Sequence, residues 1–135
     1  MSSGAMSDYT IVRLDDVPDI LGEYPGEMRF LTSHLGSEQI AVTHRRMPQH
    51  TGGKGGYGHR HKEQEEIYFL VSGKLQAKLD DEVVEIEGPA AVRCAPQVAR
   101  SFWNAEPEDA HVVIISRKID DPENDAEIVE NFWPE

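Results

Sequence analysis

Residues Gly53 to Gly73 read Gly-Lys-Gly-Gly-Tyr-Gly-His-Arg-His-Lys-Glu-Gln-Glu-Glu-Ile-Tyr-Phe-Leu-Val-Ser-Gly. A glycine-rich loop runs straight into His59-Arg60-His61. On a strand, residues i and i+2 point to one side, so both imidazoles can converge on one point. Glu66 opens the apolar, β-rich run Ile67-Tyr68-Phe69-Leu70-Val71, which Ser72-Gly73 ends. A turn through Lys62-Glu63-Gln64-Glu65 brings its carboxylate back toward the histidines. Two neutral imidazoles and a carboxylate form a ligand set for a divalent transition metal. Glu65 competes for the role, but strand parity lets one of the pair face inward. A solvated surface cluster is the competing reading of the same residues. The loop at Gly52–Gly56 is not a phosphate loop, because no Lys-Ser/Thr pair follows and no strand turns into a helix.

Outward from this stretch the dominant period is two. Lys74 to Leu79 alternates, Asp80-Asp81 reads as a tight turn, and Glu82 to Glu87 returns, which predicts a hairpin over 74–87. Ala110–Lys118, Glu27–Leu35, Gln39–Met47 and Ala91–Cys94 are further strand candidates, with Ile11–Leu14 as a short edge strand. Gly22, Pro25-Gly26, Gly36, Pro48, Gly88-Pro89, Pro96 and Pro107 cut the chain into short pieces. About eight short strands between such turns predict an all-β sandwich or barrel. The C-terminal stretch reads differently. Asp121 suits an N-cap and Pro122 a first helical position. Ala126, Val129 and Trp133 then share a face at helical spacing, beside Ile128 and Phe132. These signals predict a barrel over 9–118 and a helical tail over 119–135 that covers the barrel or a partner subunit. Residues 1–8 read as a flexible leader, with Met6 a second candidate start.

The chain has 135 residues, 39% of them apolar, enough for one core. Its 25 acidic and 13 basic residues give a net charge of −12. Such a chain repels phosphate backbones and anionic membrane surfaces, which argues against nucleic-acid and membrane partners. No apolar run approaches the roughly 18–20 residues that span a bilayer. The one cysteine, Cys94, can form no internal disulfide, so a reduced, cytoplasmic setting is expected. It reads as a small buried hydrophobe.

The order Gly53, His59, His61, Glu66, Gly73 resembles the first signature motif of the cupin superfamily, with its Gly, His-x-His, Glu and Gly at the same spacing. The resemblance covers roughly residues 38–117. It implies an antiparallel jelly-roll barrel, here with a short C-terminal helix, and a metal held by His59, His61 and Glu66. Zinc, manganese, iron, nickel and copper all suit that set, and a metal-free pocket is the alternative. The second motif departs. In Ala95-Pro96-Gln97-Val98-Ala99-Arg100-Ser101-Phe102-Trp103-Asn104, Asn104 matches, Gln97 takes a glycine's place and Arg100 that of the fourth ligand, a histidine. Arginine stays protonated and does not ligate metals.

Three readings of Arg100 follow. The metal binds to three ligands and keeps open positions; or Arg100 turns inward and pairs with Glu66 in place of a metal; or it faces solvent. An inward Arg100 would suit an anionic ligand. Its parity would carry Phe102 inward as well. Tyr68, in parity with Glu66, and Tyr57, two residues before the histidines, are the other pocket candidates, and barrel filling is the competing reading for all three. The facing of His44 and His111 is open, and His50 reads as a loop residue. Cupins include oxygenases, isomerases, epimerases, storage proteins and sugar sensors, so the resemblance leaves the reaction open. The two functions in view are a metal-dependent oxygenase or isomerase acting on a small polar or anionic molecule, and a metal-free module that binds a small ligand. A homodimer is expected, sealed by the apolar tail residues and the edge strand near Ile11.

Overall fold

Burial alternates along the strand Glu66–Ser72: Tyr68 and Leu70 are buried, while Ile67, Phe69 and Val71 are 39%, 39% and 44% exposed. One face of this strand therefore fills a core and the other looks outward. The computed structural model describes residues 8–135. Its strands in chain order are β1 Glu27–Phe30, β2 Ile40–Met47, β3 Thr51–Gly52, β4 Gly56–His61, β5 Glu66–Ser72, β6 Lys74–Leu79, β7 Glu82–Glu87, β8 Ala90–Cys94, β9 Arg100–Asn104, β10 Ala110–Arg117 and β11 Ala126–Trp133. Two antiparallel sheets result, ordered β1-β2-β10-β5-β8 and β11-β4-β9-β6-β7, with β3 paired to β9. This is the expected jelly-roll barrel. Met47, Tyr68, Leu70, Leu75, Cys94, Ala110 and Val112 form the core between the sheets.

Register fixes which residues enter the barrel, because directly paired residues share a face. Val112 is buried and pairs with Leu70 on one side and Arg45 on the other. Ala41, Thr43, Arg45 and Met47 thus lie on the interior face of β2, and His44 and Arg46 on its exterior face. Two motif glycines have a steric reason. A side chain on Gly53 would meet Ser101 Oγ at 1.8 Å, and Gly73 has φ +92° with the Ala110 backbone 2.7 Å from any Cβ. The motif asparagine is structural. Asn104 is fully buried, donates to the Met47 and Glu108 carbonyls at 2.8 Å each, and accepts from Glu106 N–H at 2.8 Å.

Several expected elements change. The 74–87 hairpin forms as read. Ile11–Leu14 is not a strand: Ile11 is 84% exposed and Leu14–Asp16 is a turn of 3-10 helix. The strand expected over Glu27–Leu35 stops at Phe30 and gives way to α1, Thr32–Leu35, which Gly36 ends in the left-handed region. The tail is the main correction. Asp121 does cap a helix by accepting from Asn124 N–H, with Pro122 in its first turn, but that helix, α2, covers Pro122–Asp125 alone. Residues 126–133 are strand β11, not helix, and they extend the barrel beyond 118. One helical turn pays a nucleation cost that few hydrogen bonds repay, whereas the free edge of β4 offers a full ladder. A bulge at Asn131, with φ 54°, lets the consecutive Phe132 and Trp133 both bury. The expected leader falls almost wholly on residues 1–7, outside the described residues.

Candidate metal centre

β4 and β5 carry the three side chains. His59 and His61 share the interior face of β4, where His59 pairs with Arg100 of β9. Glu66 opens β5 between Cys94 and Ser116. His59, His61 and Glu66 each offer a ligand atom, and all three atoms lie within 4.8 Å of one another. Glu66 Oε1 is the hub. His61 Nε2 lies 3.2 Å from it, His59 Nε2 3.5 Å, and the Tyr68 hydroxyl donates to it at 2.5 Å. The side chains of His61 and Glu66 are 7% and 13% exposed. Burial alone would raise the Glu66 pKa, but hydrogen bonding from His59, His61 and Tyr68 outweighs it and holds the carboxyl far below its usual range. Burial would lower His61, and the Glu66 carboxylate overcomes this and raises it.

Behind His61 stands a residue that the sequence reading does not single out. Asp125, on α2, is buried, and its Oδ2 lies 3.1 Å from His61 Nδ1. It also accepts from Glu63 N–H at 2.8 Å and Gln64 N–H at 3.1 Å. Burial pushes its pKa up, but these backbone donors and His61 hold it below the ordinary aspartate value. A carboxylate accepts and cannot donate, so a neutral His61 carries its proton on Nδ1 and turns a lone pair on Nε2 toward Glu66. That Nε2 is buried and has no aligned hydrogen-bond partner. The donor set therefore fits a divalent cation: two imidazoles, one carboxylate, and a carboxylate behind one imidazole to fix its tautomer.

Arg100 turns inward and is fully buried, which removes the solvent-facing reading. Its Nε stands 3.8 Å from Glu66 Oε1, and Nη1 and Nη2 reach the Pro96 and Ala95 carbonyls at 3.4 Å. Tyr68 is buried, and its pKa rises well above the ordinary value, by burial first and then by the charge of Glu66. Phe102 packs on the Tyr68 ring at 4.5 Å between centroids. Tyr57 is 61% exposed. His44 and His111 lie on the exterior face of the first sheet, where His44 Nε2 and His111 Nδ1 are 3.3 Å apart. Cys94 is buried in the core, as a small hydrophobe would be.

A cavity of about 470 Å³ opens onto His61 and Glu66. Phe30, Ala41, Thr43, Ile119 and Pro122 supply much of its wall, and Arg100, Tyr57, Tyr68 and Phe102 do not line it. A polar cavity of about 440 Å³ lies beyond Asp125, between Lys62, Arg117 and Asp121, and touches none of the three ligand residues.

The glycine, histidine and glutamate positions, the two-sheet barrel and the interior site together define a cupin. The chain belongs to the cupin family: the Cupin domain model matches residues 46–116. No curated protein matches the chain in sequence. Solved structures share its fold. The structure of KdgF from Halomonas sp. has a TM-score of 0.67 at 14% identity, covering 83% of this chain and 98% of that one. The polyketide cyclase RemF from Streptomyces resistomycificus has a TM-score of 0.66 at 16% identity, covering 80% and 78%. A predicted oxalate decarboxylase from Thermotoga maritima has a TM-score of 0.64 at 17% identity, covering 82% and 100%. At these identities the likeness establishes the fold.

Proposed function

We propose that this chain is a metal-binding cupin that holds a small molecule beside a divalent transition metal, as an oxygenase or isomerase would. His59, His61 and Glu66 would hold the ion. The carrying observation is that His59, His61 and Glu66 bring their ligand atoms within 4.8 Å of one another, with Asp125 held against His61 Nδ1. The cavity beside it has the size of a small-ligand site. The bound ion would supply Lewis acidity, polarising an oxygen of the ligand. Around it, Tyr68 holds Glu66 in place and Asp125 fixes the His61 ring. The test is metal content of protein never exposed to a nickel column, for the parent and His61→Ala. Stoichiometric metal in the parent and its loss in the folded variant support the reading. Equal content in both proteins would exclude it.

A second reading rests on Arg100. Its buried guanidinium faces Glu66 at 3.8 Å and would stand in for a metal in a non-catalytic ligand-binding barrel. A parent protein that takes up no metal when challenged with zinc, manganese or iron(II) would favour this reading.

We further infer a homodimer, with a second copy seated on the exterior face of the β1-β2-β10-β5-β8 sheet. The tail residues Phe132 and Trp133 are already covered within the chain. Ile67, Phe69 and Val71 are not, and they form an apolar strip on that face. Beside it the charges pair locally, Glu27 with Arg29 and Arg46, and Arg46 with Asp109. On a chain of net charge −12, such a balanced face lets two copies meet without strong repulsion. No helix of the described residues is long and apolar enough to cross a membrane. The lone reduced cysteine, Cys94, supports a cytoplasmic setting.

A further inference from the structure

His44 of β2 and His111 of β10 take no part in the interior centre. In the register Val113 faces His44 and Arg46 faces His111, so the two histidines are diagonal neighbours on the exterior face of adjacent strands. Diagonal neighbours of this kind lie within reach of long side chains. Here the rings do meet: His44 Nε2 and His111 Nδ1 are 3.3 Å apart, and the ring centroids 5.4 Å. As a hydrogen bond the contact is long, beyond the roughly 2.7–3.2 Å usual for N–H···O bonds. As a spacing between two ligands of one ion it is ordinary. Nitrogens bound at about 2.0–2.1 Å to a tetrahedral zinc stand about 3.3–3.4 Å from each other. The interior centre gives similar figures. There His61 Nε2 and His59 Nε2 lie 3.2 and 3.5 Å from Glu66 Oε1, and the two imidazole centroids are 5.1 Å apart.

The surroundings keep the pair ready for a cation. Burial first, and then His111 beside it, hold His44 below the ordinary imidazole pKa, so its ring is neutral near pH 7 and has a lone pair to give. The charges around the pair cancel. Arg29 pairs with His44 and Arg46 with His111, and both guanidiniums are answered by Glu27 and Asp109. Both rings are half-buried, so their strands hold them while solvent still reaches them. Two things set this pair below the interior centre. It brings no carboxylate of its own, and His44 Nδ1 has no hydrogen-bond partner among the described residues, where His61 Nδ1 has Asp125.

We propose that His44 and His111 form a second divalent-metal site, on the outside of the barrel, for the imidazole-seeking cations zinc, nickel and copper(II). His44 Nε2 and His111 Nδ1 are its ligands, and solvent takes the other positions. A cation held there ties β2 to β10. Because it needs the two strands in register, it binds the folded chain and stabilises it by mass action. This inference does not depend on the interior centre holding a metal.

The test is zinc titration in competition with a chromophoric chelator, on the full chain stripped of metal and never exposed to a nickel column. Parent, His61→Ala, His44→Ala and His111→Ala are compared, together with His61→Ala combined with either exterior change. Circular dichroism checks the fold of each. The parent is expected to bind two zinc ions per chain, the second about tenfold or more weakly than the first, since it lacks a carboxylate behind its imidazoles. His44→Ala and His111→Ala should each lose the weaker ion and keep the tighter one, and His61→Ala should do the reverse. Zinc should raise the urea midpoint of His61→Ala, and should leave it unmoved when His44→Ala or His111→Ala is added. If one exterior variant fails to fold, the other carries the test. A weaker ion that survives both exterior variants is adventitious and overturns the inference. So does a parent that binds one ion and loses it in His61→Ala. A single ion that needs His44 and His111 and is indifferent to His61 would overturn the interior metal reading and spare this one. A parent that binds no zinc overturns both.

Discussion

Asp125 and His61 lie 64 residues apart in sequence and 3.1 Å apart in space, oxygen to ring nitrogen. This contact fixes the orientation of the His61 ring within the His-x-His motif. Asp125→Asn should keep an acceptor for Glu63 N–H while turning a donor toward Nδ1. Metal affinity is then expected to fall about 10–100-fold, as carboxylates behind metal-bound histidines typically contribute. A competition titration against a chelator measures it, and circular dichroism should show an unchanged β-rich fold.

Arg100 occupies the place opposite His59 where a further nitrogen ligand could stand. Arg100→His should add a donor and remove a permanent charge near the ion. Tighter binding by about tenfold or more, close to 1.4 kcal/mol, is expected for zinc, manganese and iron(II). Unchanged affinity would place Arg100 outside the coordination sphere.

Asn104 satisfies two carbonyls and one N–H while fully buried. Asn104→Ala leaves all three without that partner. Since each buried polar group left unsatisfied costs about 1–3 kcal/mol, the loss should total about 3 kcal/mol or more. Urea unfolding reads it. Metal stoichiometry in the surviving folded protein should be unchanged, which separates a scaffold residue from a ligand.

Glu27 ties β1 to the sheet through Arg29 and Arg46, and these two partners hold its pKa below the ordinary 4.5. The folded carboxyl is the stronger acid, so its contribution to stability is fully present above the unfolded value and is lost as pH falls through the folded one. The urea-midpoint gap between the parent and Glu27→Gln should therefore be constant from pH 7 to about pH 5.5 and close progressively below pH 4.5. A gap that stays constant down to pH 3 would contradict it.

Phe69→Glu puts a charge in the middle of the exterior apolar strip without touching the core. Light scattering should find the parent as a dimer at micromolar concentration and the variant as a monomer, both with the same metal content. A monomeric parent would refute the interface.

The convergence of His59, His61 and Glu66 was legible because strand parity and spacing are local rules. Two histidines at i and i+2 and a glutamate opening the next strand needed no knowledge of the rest of the chain. Asp125 was not, since its direction depends on where β11 docks. The tail misled for a physical reason. Ala126, Val129 and Trp133 are spaced by three and four, as on a helix, but in the strand Ala126 pairs with His61 on one face while Val129 and Trp133 share the other, brought onto it by a bulge at Asn131. Arg100 carried a readable departure from the motif, and its orientation had to come from the fold. In His44-Arg45-Arg46 nothing local tells which residue enters the barrel. The β2-β10 register decides it.

Strand β11 and the helical turn before it have a consequence for how the protein comes into being. A ribosome delivers β4 and β5, with His59, His61 and Glu66, long before it delivers Asp125 and the strand that pairs Ala126 with His61 and Ile128 with His59. Until those residues arrive, the β4 edge that β11 will pair is open and His61 lacks its Asp125 partner. The site acquires its final shape only when β11 docks, so a chain cut before Asp125 would carry the whole motif without the contact that orients His61.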